Sequence, residues 1–235
     1  MIFRHKERKS PMRHNEYTVK IGSELKTLII NTCYCIGYSG RNKEHILSHI
    51  KELMALGVPK PKEIPELYPM RKSSITQESV IDVLGDQTTG EVEIVLIFGE
   101  SEDEIYVTVG SDHTDRALET VDIHKSKLVC DKPFATTVWS LQDVIDHWDD
   151  LELVSYIKEG NDWGLYQKSS VKSILPVNEI IRFLKNKNVI LRNCIVFCGT
   201  VPLINGFKYA NSYLMKIIDP VLENTISFQY QTNKL

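Results

Sequence analysis

The sequence has no apolar stretch able to span a bilayer, since runs such as Val92 to Phe98 are far too short. It has no large excess of one charge: 28 Lys and Arg against 31 Asp and Glu give −3, which gives no reason to expect nucleic acid or an anionic membrane as partner. It has no cysteine framework either. Its five cysteines fall as Cys33-x-Cys35, Cys194-x3-Cys198 and an isolated Cys130, none of which spaces a zinc knuckle or a redox pair. All but Cys130 lie in apolar runs, as expected of reduced core residues in a cytoplasmic protein. There is no internal repeat. The first residues crowd Arg4, His5, Lys6, Arg8, Lys9, Arg13 and His14 with no apolar segment among them, so they do not form a signal peptide. Residues 1–16 are expected to be a basic, disordered tail, with an arm for an acidic partner as the alternative.

What remains is ordinary globular material, 42% hydrophobic and 25% charged over 235 residues. Tyr17 to Ile21 alternates as a short strand, and Thr27 to Gly37 reads as one apolar β-run. Asn42 to Leu56 carries Ile46, Ile50 and Leu53 at helical spacing and stops at Gly57 and Pro59. Gly90 to Phe98 and Glu104 to Gly110 read as a hairpin across the acidic turn 99–103. Leu141 to His147 and Val177 to Leu184 look helical; Leu151 to Lys158 and Val189 to Phe197 look like strands. No regular alternation of strand and helix supports a doubly wound sheet. The expectation is one α+β domain over 17–235, a mixed, curled sheet with a few peripheral helices.

Three segments carry chemistry. In Glu91-Val92-Glu93, period-two alternation puts both carboxylates on one face, about 7 Å apart at Cα. Alone, the pair reads first as a solvated strand entrance. Ser111-Asp112-His113-Thr114-Asp115-Arg116 follows the second strand of the hairpin and reads as a loop. Because the two segments share one hairpin, Asp112 can join Glu91 and Glu93 as a third hard oxygen donor. Such a set suits Mg2+, Mn2+ or Ca2+ rather than zinc. His49 and Glu52 stand three apart on the first helix, where a glutamate can orient an imidazole for proton abstraction; chance polar positions on an amphipathic helix are the alternative. Lys132, in Lys-Pro-Phe-Ala-Thr-Thr, and the turn Gly199-Thr200-Val201-Pro202 offer an ammonium and backbone N–H groups to an anion.

In this order, the segments resemble the fumarylacetoacetate hydrolase superfamily, and more closely its small prokaryotic branch known as DUF2848, over roughly residues 28–235. The resemblance matches Glu91, Glu93 and Asp112 to the family's metal ligands, with Thr114 and Arg116 in the same motif. It matches His49 and Glu52, after Gly40-Arg41, to the catalytic dyad on a lid helix, and Lys132 to the substrate lysine. Arg41, Gly199 and Thr200 fall at substrate-binding positions. Ser111, Ala117, Val201 and Val138-Trp139 depart from the broader pattern, and the link from Glu93 to Asp112 is short. The resemblance implies a mixed-β roll and a homodimer. It also implies a metal-dependent enzyme that cleaves a C–C bond in a small 1,3-dicarbonyl or 2-oxo acid through an enolate. A non-catalytic ligand-binding homologue on the same fold is the alternative. The tests that separate the two are divalent dependence and turnover.

Overall fold

The fold is that of a computed structural model describing residues 15–101 and 103–235, with the backbone but not the side chain of His49. The basic residues 4–14 lie outside the described residues. The chain opens with β1 (Glu16–Ile21), β2 (Glu24–Ile29) and β3 (Thr32–Gly37), then α1 (Lys43–Ala55), β4 (Glu66–Met70), β5 (Ile75–Thr76) and β6 (Val80–Val83). The central ribbon is β7 (Thr88–Phe98) and β8 (Ile105–Asp115), followed by α2 (Arg116–Glu119), α3 (Ile123–Leu128), β9 (Lys132–Pro133), β10 (Thr137–Ser140) and α4 (Leu141–Val144). The last third is β11 (Glu152–Glu159), β12 (Asp162–Ser170), α5 (Val177–Asn186), β13 (Cys194–Thr200), β14 (Ser212–Asp219) and β15 (Asn224–Lys234).

The strands form an eight-stranded mixed sheet in the order β2-β1-β10-β8-β7-β13-β3-β4 and a five-stranded sheet in the order β12-β11-β14-β15-β6. β7 explains why there are two cores. Its odd apolar residues Val95 and Ile97 pack with Cys33, Cys35, Ile195 and Phe197 beneath Leu53 of α1 and Ile123 of α3. Its even residues Val92, Ile94, Leu96 and Phe98 pack with Leu153, Met215 and Tyr230 of the second sheet and with Ile180 and Leu184 of α5. A strand covered on both faces must be apolar on both, as Ile94 to Phe98 is. Any charge on it therefore belongs at the end where one cover stops. The mixed, curled sheet with satellite helices is as expected, and all five cysteines are buried and free.

Three expectations change. The run from Thr27 to Gly37 is two strands, broken where Ile30 N–H turns to Asn15 O and Asn31 N–H to Asn193 O. The segment from Gly110 to Asp115 is not a loop: β8 continues through it, paired with β7 as far as Thr88 opposite Asp115. β13 begins only at Cys194, after the exposed Ile190 and an Asn193 at φ 51°. The short α2–α3 pair and strands β12, β14 and β15 carry no signal that the pattern reading used. α1 matches its expected span, and its Asn42 side chain accepts from the N–H groups of Glu44 and His45 (2.9 and 3.2 Å).

Candidate functional site

The extended β7–β8 ladder brings the predicted donors together. Glu91 lies directly opposite Asp112, and Glu93 opposite Gly110. Opposed residues of an antiparallel pair share a face, as do residues two apart. All three carboxyl groups therefore project from the face of β7 that carries Val95 and Ile97. Gly110 has to lack a side chain, because a Cβ there would stand 2.5 Å from the Phe197 ring. By the same alternation Ser111 and His113 point the other way. His113 accepts or donates to Tyr230 Oη (2.9 Å) and Thr88 Oγ1 (2.9 Å) inside the inter-sheet core. Burial, then Lys132 and Arg116, keeps this imidazole neutral well below its ordinary range. It is a core histidine and no part of the acidic face.

Each carboxyl has its own surroundings. Glu91 pairs with Arg116 Nη2 at 2.8 Å, and the same guanidinium binds Glu119 (2.9 Å) and Thr89 Oγ1 (2.6 Å) and lies 4.3 Å from the Phe207 ring centre. Asp112 is buried between Lys127, which donates to Oδ2, and Lys132, whose Nζ is 3.2 Å from Oδ1. Burial would push Asp112 up, but the two ammonium groups together outweigh it and hold the carboxyl below its usual range. Glu93 is 4% exposed and accepts from Gly199 N–H at 3.0 Å. Among the described residues no cationic side chain lies within ion-pair distance of it. Burial, and after it the charge of Asp112, pushes its carboxyl well above the ordinary range.

The turn after β13 is built around Glu93. Pairing of β13 with β7 slips between Phe197 and Thr200, which frees the backbone of Val92. Side chains replace the lost ladder bonds. Val92 N–H donates to Gln167 Oε1 (2.9 Å), and Val92 O accepts from Thr200 Oγ1 (2.8 Å). Gln167, fully buried, also accepts from Ser155 Oγ and donates to Thr200 Oγ1 and Val201 O. Gly199 sits at φ 136°, and a Cβ there would come 1.9 Å from Ser39 Oγ, so only glycine can present this N–H to Glu93.

Of the other predicted residues, Lys132 is wholly buried and donates to the carbonyls of His113 and Lys127 as well as facing Asp112. Arg41 is directed elsewhere: it grips Asp149 with two bonds (2.8 and 2.6 Å) and donates to Ile174 O (3.2 Å). Glu52 is exposed on α1, with Ser48 Oγ at 3.4 Å; the side chain of His49 lies outside the described residues. Leu53 of α1 packs in the same hydrophobic cluster as Val95 and Phe197. In the sequence Lys127 shows only as part of the basic stretch His124-Lys125-Ser126-Lys127, and Glu119 and Gln167 carry no pattern that marks them. The same is true of Tyr38, held at φ 58°, whose phenol burial and Glu119 push up to about 12.

The family model for a protein of unknown function, DUF2848, matches residues 36–230. The chain belongs to this family. A search of curated proteins found no relative by sequence. Solved structures are similar to it in fold. One from Oleispira antarctica, assigned to the fumarylacetoacetate isomerase/hydrolases, is 18% identical with TM-score 0.66, covering 92% of this chain and 99% of that one. Fumarylpyruvate hydrolase from Pseudomonas aeruginosa, in complex with Mn2+ and pyruvate, is 15% identical with TM-score 0.61, over 98% and 100% of the two chains. A 2-keto-3-deoxy-D-arabinonate dehydratase complexed with magnesium and 2,5-dioxopentanoate is 16% identical with TM-score 0.60, over 90% and 76%. The fold of this DUF2848 member is thus that of the fumarylacetoacetate hydrolase-like structures. No helix among its described residues is long and apolar enough to cross a membrane.

The acidic face fits a hard divalent cation by its donor chemistry. Three carboxyl groups share one face, and the buried Glu93 has no ion-pair partner among the described residues, only the more distant charge of Lys127. The donors are not yet gathered: among the described residues no three acidic, histidine or cysteine side chains form a ready cation cage. Glu91 and Asp112 are engaged by Arg116, Lys127 and Lys132 instead.

Proposed function

We propose that this protein is a divalent-metal-dependent enzyme of the fumarylacetoacetate hydrolase type, cleaving a C–C bond in a small 1,3-dicarbonyl or 2-oxo acid such as an acylpyruvate. The observation that carries this reading is the projection of Glu91, Glu93 and Asp112 from one face of the β7–β8 ribbon. These three residues would hold Mg2+ or Mn2+. A bound divalent ion supplies Lewis-acid stabilisation of the enolate that develops as the bond breaks.

The chain's own residues supply the rest. Gly199 N–H fixes one oxygen of Glu93, and Arg116 fixes one of Glu91, so both carboxylates are oriented before any ligand arrives. Lys132, tied to two carbonyls, holds positive charge against Asp112. On α1, Glu52 orients His49, whose imidazole takes a proton from the attacking water. Arg41 anchors the start of α1 through Asp149 and Ile174, and Gly199 and Thr200 wall the substrate pocket. Closure of α1 over the face excludes bulk water. The functional unit in this reading is a homodimer.

Turnover is tested with an acylpyruvate panel in Mn2+, using His49→Ala and Asp112→Ala. Both variants are expected to lose activity, and turnover retained in both would refute the roles. Gln167→Leu checks the support beneath the ligands. Losing four buried hydrogen bonds should lower Mn2+ affinity about 10–100-fold, as outer-shell deletions do, read by calorimetry; unchanged affinity would deny Gln167 that part. The uncollected state of the donors favours one second reading, a binding homologue without catalysis. Thermal shift separates them. The enzyme reading expects stabilisation by Mn2+ with oxalate that grows with the logarithm of ligand excess, and the binding reading gains if Mn2+ gives none.

A further inference from the structure

The two ammonium groups on Asp112 are not equivalent. Lys132 is fully buried and anchored to the carbonyls of His113 and Lys127, so moving it would strand three acceptors. Lys127 has Asp112 as its acceptor, keeps 10% side-chain exposure, and projects from the six-residue α3 with its Nζ 5.8 Å from the Tyr68 ring centre. A lysine stem is flexible enough to carry such a head group away without shifting the backbone. Each oxygen of Asp112 faces an ammonium, Oδ2 that of Lys127 and Oδ1 that of Lys132, so an entering cation meets like charge at either oxygen and departure of one ammonium favours its entry. Lys127 is the one free to go.

We infer that Lys127 is an internal counter-cation: it occupies Asp112 in the metal-free protein, a divalent ion enters by displacing it, and the released ammonium turns to the anionic group of the incoming oxo acid. The charge balance supports the last step. Glu91, Glu93, Asp112 and Glu119 face Arg116, Lys127 and Lys132, so a divalent ion tips the cluster to positive and makes it a host for an anion. Metal and substrate anion then bind synergistically, because the anion gives the displaced ammonium a new partner. This inference rests on the metal reading of Glu91, Glu93 and Asp112.

The test is calorimetric titration of Mn2+ into metal-free wild type, K127M, K127R and D112N, each with and without oxalate. Without oxalate, K127M should bind Mn2+ about tenfold tighter or more, since a competing cation is gone, and K127R should behave as wild type. Oxalate should tighten Mn2+ binding by a larger factor in wild type than in K127M. Equal or weaker Mn2+ affinity in K127M, or the same oxalate enhancement in both, would overturn the inference. K127Q carries the same expectations should K127M not fold. The two readings fail separately. Wild type that binds no Mn2+, or binding that survives in D112N, sinks the metal site itself. Binding that needs Asp112 but is indifferent to Lys127 sinks only the exchange.

Discussion

Asp112→Asn is expected to eliminate Mn2+ binding and, in the same protein, to weaken the metal-free fold by about 3 kcal/mol. The two effects have separate causes. Loss of binding follows from removing a charged oxygen donor that no neighbour replaces. Loss of stability follows because Asp112 is the countercharge of Lys127 and Lys132, and Lys132 is wholly buried. Asparagine keeps the shape but leaves that ammonium with carbonyl oxygens alone, and breaking a buried pair from one side costs more than the pair contributes net. The cost falls at the lower end for a broken buried pair, since Lys127 keeps some exposure and can turn to water. Urea denaturation in chelator gives the second quantity and calorimetry the first. A variant as stable as wild type would mean that the lysines do not depend on this carboxylate.

The sequence made the acidic face legible to an uneven degree. Glu91-Val92-Glu93 could be read because a strand has a fixed period, and Asp112 because a hairpin has a countable register. The same alternation already set His113 on the opposite side, yet the segment looked like a loop, being rich in polar residues. Those residues are strand because the far ends of β7 and β8 pair across them, and because Tyr230 and Thr88 satisfy the imidazole. Lys132 was found through its motif. Lys127 stands only five residues before it but carries no periodic signal, and its role arises from where α3 packs. Gln167 is less visible still, a single amide in β12 whose bonds reach β7, β11 and the turn after β13. Such hubs depend on contacts between distant segments, which composition and spacing do not encode.

Glu93→Gln should separate the needs of the fold from those of the ion. Glu93 is a buried carboxyl with no ion-pair partner among the described residues, and burial and Asp112 outweigh the more distant charge of Lys127, so its folded pKa stands well above the 4.5 of a free glutamate. From about pH 4.5 upward the unfolded chain releases this proton before the folded one does, so wild-type stability falls as pH rises towards the folded value. Glutamine cannot titrate, and it keeps an acceptor for Gly199 N–H. In chelator, the stability of the variant relative to wild type should therefore increase between pH 5 and pH 8, by on the order of 1 kcal/mol for each unit of displacement crossed. Saturating Mn2+ should reverse the order. Wild type gains about 2.7 kcal/mol when the ion stands at a hundred times its dissociation constant, while the variant, short of one charged donor, gains little. Parallel pH profiles in chelator would show that Glu93 is not an uncompensated carboxyl. A failure to cross over in Mn2+ would show that it is not a ligand.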